Sequence, residues 1–191
     1  IDSVIFLTMM RYELLLDSKN HQLGLDYEGH GVDKYDVELF ASPINRTLDR
    51  FCSAYPDIDG MYKGSLGSFF DFKFISNLKY TMNPPYDGIL MKNASEYLVR
   101  EFDRTELNNT LVYVTIPVWD QVVARILRTE NKVEQFNIPK IVPYKSYDIL
   151  VTSEHVSSVS AFDMRGYRYF DHLNRKYLSV ANTFHIILKK E

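Results

Sequence analysis

The clearest pattern in the chain is a change of hydrophobic period between residues 78 and 116. Leu78-Lys79-Tyr80-Thr81-Met82 alternates and is rich in strand formers, which predicts a strand. Beyond Asn83-Pro84-Pro85-Tyr86, the residues Leu90, Ala94, Tyr97, Leu98 and Phe102 recur at helical spacing, with Asn93 and Glu96 on the polar side. Leu111-Val112-Tyr113-Val114-Thr115-Ile116 is then a continuous apolar run closed by Pro117, as expected of a strand buried on both faces. Strand, helix and strand in that order predict a parallel crossover unit. Ligands of such sheets bind beyond the carboxyl ends of the strands, which is where Asn83-Pro84-Pro85-Tyr86 falls.

The remaining pattern extends this α/β reading. Asp2 or Ser3 caps a predicted helix through about Asp17, with Val4, Phe6, Met9, Met10 and Leu14 as its apolar side. A loop with Gly24, Gly29 and Gly31 follows. Residues 37–41 read as the first strand of a nucleotide-binding fold and 44–55 as its helix; 68–72 read as a second strand ending at Asp71, and 183–188 as a late strand. With no repeat or linker to divide it, the chain is expected to hold one core over residues 35–191, preceded by an N-terminal helix and loop over 1–34.

Composition narrows the function classes. A chain of 191 residues, 46% apolar and with eight glycines, is globular, and one core of that size buries about 70% of its unfolded surface. The single Cys52 excludes an internal disulfide and a cysteine metal framework; the histidines at 21, 30, 155, 172 and 185 lack ligand spacing, so no metal is expected. Gly64-Ser65-Leu66-Gly67-Ser68 is not a nucleophile elbow, and the nearby glycines lack the Lys-Ser/Thr of a phosphate loop. Val4 to Met10 is too short to span a bilayer and has no basic leader, so no membrane association is expected. Because the sequence starts at Ile1 and not at Met, a longer parent protein or a trimmed chain is expected. A net charge of −3 argues against broad nucleic-acid adhesion. Locally, however, Arg165, Arg168, His172, Arg175, Lys176, Lys189 and Lys190 interleave with Tyr167, Tyr169, Phe170 and Tyr177. Two readings stand side by side for that stretch: a lip for a single-stranded nucleic acid, or a solvated hairpin.

Asn83-Pro84-Pro85-Tyr86 carries the most chemistry. Two prolines fix φ near about −65° and delete two N–H donors, leaving carbonyls that want a donor from outside. The exocyclic amine of adenine is such a donor. Asn83 Oδ1 and the Pro84 carbonyl can accept its two hydrogens while the Tyr86 ring stacks on the base. A plain turn into a helix is the competing reading.

Five blocks occur in the order seen in the phosphorylated-CTD-interacting factors, the cap-specific adenosine methyltransferases of eukaryotic mRNA. They are Ala41-Ser42-Pro43-Ile44-Asn45, Phe51-Cys52-Ser53-Ala54-Tyr55-Pro56-Asp57, Gly67-Ser68-Phe69-Phe70-Asp71-Phe72, Asn83-Pro84-Pro85-Tyr86 and Ile116-Pro117-Val118-Trp119. The chain resembles that family from about Tyr35 to Trp119, and again at Lys176 to Thr183. The resemblance implies a class I, Rossmann-like, mostly parallel sheet with flanking helices, using S-adenosylmethionine to methylate the 6-amino group of adenosine beside the cap. It implies Asn83, Pro84, Pro85 and Tyr86 as the catalytic loop. Ala41, Ser42, Pro43, Asn45, Asp71 and Phe72 are the implied cofactor site, with Asn45 opening a helix and Asp71 on the ribose hydroxyls. Trp119, Arg165, Arg168, Arg175 and Lys176 are candidates for substrate contact. Capped mRNA is the implied partner, the RNA polymerase II tail a further one through upstream regions, and the nucleus the implied location, or the cytoplasm in a viral or other lineage. The sequence departs from the family in ending the motif with Tyr rather than Phe, and from dinucleotide folds in lacking Gly-x-Gly after the first strand. It holds one tryptophan and so no tryptophan pair, and residues 129–166 carry no implied role. A DNA or internal-RNA adenine methyltransferase, or a silent relative kept for binding, would preserve the same motif.

Overall fold

The computed structural model describes residues 2–16, 23–26, 35–61, 64–104, 106–119, 121–130, 132–134, 145–165, 168–172 and 174–191. Its centre is a mixed sheet of six strands. β2 (Val37–Glu38), β3 (Lys79–Met82) and β4 (Thr110–Pro117) run parallel; β9 (Thr183–Lys190) lies antiparallel to β4, β6 (Val156–Phe162) antiparallel to β9, and β5 (Lys132–Glu134) closes that edge. Parallel single bridges join Glu38 to Phe51 and Phe51 to Ser65, extending the pairing beyond β2. A separate antiparallel sheet has the order β1 (Leu23–Leu25), β7 (Tyr169–Asp171), β8 (Lys176–Leu178).

The pleat of β4 explains the layers. Val112, Val114 and Ile116 are fully buried and share a core with Ala94, Leu98 and Phe102 of α3 (Gly88–Arg104) and with Tyr147 and Leu150 of α5 (Lys145–Val151). Leu111 and Tyr113 point the other way, into a second core with Leu25, Tyr35 and Tyr169. Successive side chains of a strand alternate faces, so one strand serves a helical layer and a sheet layer at once. This is why the apolar run at 111–116 is unbroken. On α3 the buried stripe includes Met91, Ala94, Ser95, Leu98 and Phe102, close to the predicted spacing.

Several expectations are corrected. Residues 44–55 form no helix: a turn at 43–45 is followed by bends and the bridging residue Phe51. Asn45 Oδ1 accepts from Ser42 N at 2.8 Å and Ser42 Oγ at 2.9 Å, and the buried Glu38 carboxylate accepts from the Thr47 and Leu48 N–H groups. Side chains thus take the donors that a helix would have used. Residues 68–72 are not a strand either. Ser68 Oγ accepts from Phe70 N and caps a 3₁₀ turn over Phe69–Asp71. Gly24, expected in a loop, lies in β1, where an added Cβ would meet Asn45 O and His172 Nε2 at 2.7 Å; Gly29 and Gly31 lie outside the described residues.

The first helix, α1 (Asp2–Leu16), turns Thr8 and Tyr12 inward and leaves Phe6, Met9, Met10 and Leu14 exposed, the reverse of the predicted apolar side. It packs beside α2 (Pro56–Asp59) through Arg11–Asp57 at 2.8 Å and Tyr12–Asp59 at 2.5 Å. β1 belongs to the same sheet as β7, so pairing crosses the boundary drawn at residue 34.

Candidate active site

Asn83, Pro84, Pro85 and Tyr86 follow β3 directly and precede α3, at the carboxyl end of the parallel strands. Asp87 Oδ1 caps α3, accepting from Ile89 N at 3.0 Å and Leu90 N at 2.7 Å, and Asp87 N donates to the Pro85 carbonyl. The loop is therefore pinned by a strand, two prolines and a capped helix. The motif is a helix-starting turn, and among the described residues no backbone donor outside the regular elements reaches the Pro84 carbonyl. Pro84 is buried; Asn83, Pro85 and Tyr86 are half-buried. Tyr86 packs against both cores. Its hydroxyl is hydrogen-bonded to that of Tyr169, and the Tyr169 hydroxyl donates to Asn83 Oδ1 at 3.4 Å.

The neighbouring parallel element supplies the second half of the site. Beyond β2, Leu39 N donates to Thr81 O and Ala41 N to Cys52 O, which sets the Ala41-Ser42-Pro43 turn beside β3 and the Phe51 segment. Ser42 is buried, and Asn45 Nδ2 reaches Leu23 O at 3.0 Å, tying this turn to the small sheet. Asn45 thus acts as a clamp on the turn, not as the start of a helix. Asp71 is exposed at the end of its 3₁₀ turn. Phe72 is turned inward against Phe74 and Tyr80, while Phe70 stays 38% exposed beside Phe40, so the ring offered outward is Phe70. Phe70, Asn93, Glu96, Tyr97 and Arg100 line an open cleft along α3.

Trp119 is half-exposed, with its ring 3.8 Å from where a Gly88 Cβ would stand, so it flanks the start of α3 just past the motif. The basic residues are held on the small sheet and its approaches. Arg165 pairs with the buried Asp163 at 2.6 Å; Arg168 pairs with the buried Asp26 at 3.2 Å and lies over the Tyr177 ring; Arg175 and Lys176 lie at the β7–β8 turn. A hairpin is present, paired to β1 as a sheet of its own. Cys52 is buried, which pushes its thiol up to about 12, as for a structural cysteine of the core. Burial also holds the His172 imidazole below its ordinary value.

Several contributors have no sequence signal. Glu38 reads as an ordinary strand residue, yet its carboxylate holds the 47–48 backbone. Tyr169 lies far along the chain from the motif it touches. Asp59 is fully buried, and its Oδ2 accepts from Tyr12 and from Tyr55 N; burial raises its pKa. Asp103, Glu154 and His155 place one ligand-type atom each within 4.8 Å of one another, an arrangement no spacing announces because α3 supplies one residue and the turn between α5 and β6 the others.

A family model described as phosphorylated CTD interacting factor 1 WW domain matches residues 1–147, the span that includes α1, the parallel strands, α3 and the Asn83 loop. Among curated proteins, the Homo sapiens protein named mRNA (2'-O-methyladenosine-N(6)-)-methyltransferase is 30% identical over 130 residues, which is 66% of this chain and 18% of that protein. The Mus musculus protein of the same name is 32% identical over 114 residues, 58% of this chain and 16% of that protein. The chain spans less than a fifth of the length of these relatives.

Proposed function

The chain belongs to the phosphorylated CTD interacting factor 1 family, and from that premise we propose that it is the catalytic portion of an S-adenosylmethionine-dependent RNA adenosine 6-amino methyltransferase. The observation that carries this reading is the position of Asn83-Pro84-Pro85-Tyr86 at the carboxyl end of β3, next to the end of β2. Counting the Phe51 and Ser65 bridges as strands, the parallel part runs Ser65, Phe51, β2, β3, β4. That is the doubly wound order 3-2-1-4-5, and its switch point lies between β2 and β3, where such sheets bind ligands. The order supports a class I, Rossmann-like assignment.

The residues present fit the cofactor. An exposed carboxylate at Asp71 is an acceptor for paired ribose hydroxyls, the Phe70 and Phe40 rings give an apolar wall, and the Ala41-Ser42-Pro43 turn brings backbone close at the switch point. When bound, S-adenosylmethionine supplies an electrophilic methyl group. The protein's part is to make the amine a nucleophile and hold it in line. An adenine amine is planar because its lone pair is delocalised into the ring. Acceptance of its two hydrogens by Asn83 Oδ1 and the Pro84 carbonyl stabilises the positive charge that develops as the nitrogen becomes pyramidal. The rigid loop fixes those acceptors before the substrate arrives, so positioning supplies much of the rate. Tyr86 stacks on the base and Trp119 flanks it.

We assign the cap-adjacent adenosine of mRNA as the target, with the nucleus as the place of action and the polymerase tail met through other parts of a longer protein. Incubation with labelled S-adenosylmethionine and RNAs differing only in the cap tests this. Label transferred to the 6-amino group of the first adenosine of capped RNA alone is the expected result. Equal transfer to uncapped RNA or to DNA would establish the broader adenine methyltransferase, and no transfer to any of them a silent relative.

A further inference from the structure

We propose that Tyr169 is a positioning residue of this site, whose hydroxyl, held by Tyr86, orients the Asn83 carboxamide with its oxygen toward the substrate amine; the role rests on the reading of Asn83 as the amine's acceptor. A carboxamide has an accepting and a donating end of nearly equal size, and only the accepting end can help a reaction that builds positive charge on nitrogen. Nothing within the loop chooses between them. The choice comes from the small sheet: β7 brings Tyr169, 4% exposed, to Asn83, where its O–H donates to Oδ1 at 3.4 Å. With that proton committed to Asn83, the Tyr169 oxygen is the acceptor for the Tyr86 O–H, giving a directed relay from Tyr86 through Tyr169 to Asn83. An amide oxygen has two lone pairs, so one remains for the substrate. Turning the amide over would set its NH₂ against the Tyr169 hydroxyl, which can accept from it only by turning its own proton from Asn83 to Tyr86, so the orientation of the amide and the direction of the relay are set together.

This also gives the tyrosine of the motif a use for its hydroxyl that a phenylalanine lacks. The Tyr86 ring, packed between both cores, is held in plane by the same bond that sets Asn83.

The test uses the whole chain with Tyr169→Phe, which keeps the buried ring, and reads two quantities. The first is the side-chain amide NMR signal pair of Asn83, identified by its loss in Asn83→Ser. The second is steady-state transfer to capped RNA. Tyr169→Phe is expected to shift the Asn83 pair and lower kcat about tenfold or more, with KM for RNA and the dissociation constant for S-adenosylmethionine within twofold of the parent. In an Asn83→Ala background the same change should cost nothing further. An unmoved amide pair, or an undiminished kcat, overturns the proposal. A parent chain that transfers no methyl group refutes the functional reading separately, and the amide pair then still decides whether Tyr169 orients Asn83.

Discussion

The two sheets of this protein meet over Asn83, yet they are specified in opposite ways. The six-stranded sheet draws its parallel strands from a stretch in which each element follows its neighbour closely, with β3, α3 and β4 in direct succession. The three-stranded sheet pairs Leu23–Leu25 with Tyr169–Asp171, segments from opposite ends of the chain, and its strands are three residues long. The large sheet supplies the acceptor loop; the small one supplies the hydroxyl that touches it and the clamp on the Ala41-Ser42-Pro43 turn. The large sheet thus carries the Asn83 loop, and a small sheet closed by long-range pairing holds both it and the neighbouring turn from the other side.

The comparison breaks most visibly in stability. Phe102→Ala, in the fully buried core beneath the large sheet, is expected to cost about 3–5 kcal/mol and unfold the chain. Leu25→Ala, 2% exposed in the second core, removes a comparable packing contribution of about 2–5 kcal/mol. Its effect should stay with the small sheet, seen as faster hydrogen exchange at β1 and β7 while the β4 amides remain protected. Loss of protection in β4 to the same degree would show that the two sheets unfold as one unit.

Next in size is the chemistry at the junction. Asn83→Ala should lower turnover about 10²–10³-fold, by analogy with deleting one donor of an oxyanion hole. S-adenosylmethionine affinity and melting temperature are expected to stay close to the parent's, because Asn83 is half-buried and outside both cores. Retention of more than a tenth of the parental rate would remove Asn83 from the mechanism.

Legibility in the sequence follows the same division. The β3–α3–β4 crossover is readable because its periods are strong and its connections short, and the place of the Asn83 loop at the carboxyl end of β3 follows from it. The helix expected at 44–55 does not form because Ser42, Asn45 and Glu38 spend their side chains on local N–H groups, a competition that apolar periodicity does not record. Phe72 is buried because residues two apart share a face in a strand but not across a 3₁₀ turn, which sends Phe70 to the cleft and Phe72 to the core. The contacts of Tyr169 depend on a sheet closed between distant segments, and no window of sequence contains both partners.

A smaller effect is expected on the cofactor side. Asp71→Ala should weaken S-adenosylmethionine binding by about 1–3 kcal/mol, the scale for leaving hydroxyl donors unpaired, with RNA affinity unchanged. Asp71 is exposed on a short turn, so stability should not move. Calorimetric titration giving the parental affinity would leave Asp71 as a surface residue and shift the ribose contact elsewhere along the cleft.

The smallest effects separate the cations of the small sheet by what they already hold. Arg165 and Arg168 neutralise Asp163 and Asp26, carboxylates that are 6% and 7% exposed, whereas Arg175 and Lys176 stand at the β7–β8 turn with no acidic partner among the described residues. A cation committed to a buried carboxylate has little to offer a phosphate, and removing it strands the acid. Arg165→Gln and Arg168→Gln are therefore expected to lower the melting temperature while leaving the salt dependence of RNA binding intact. Arg175→Gln with Lys176→Gln should do the reverse: unchanged melting, and a log–log salt slope flatter by roughly 0.7 for each phosphate of a single strand that is no longer neutralised. A slope that responds to the first pair and not the second would mean that RNA displaces Asp26 or Asp163 on binding, making the ion pairs a latch. A slope indifferent to all four would place the phosphate contacts outside the small sheet, leaving it the task of orienting Asn83.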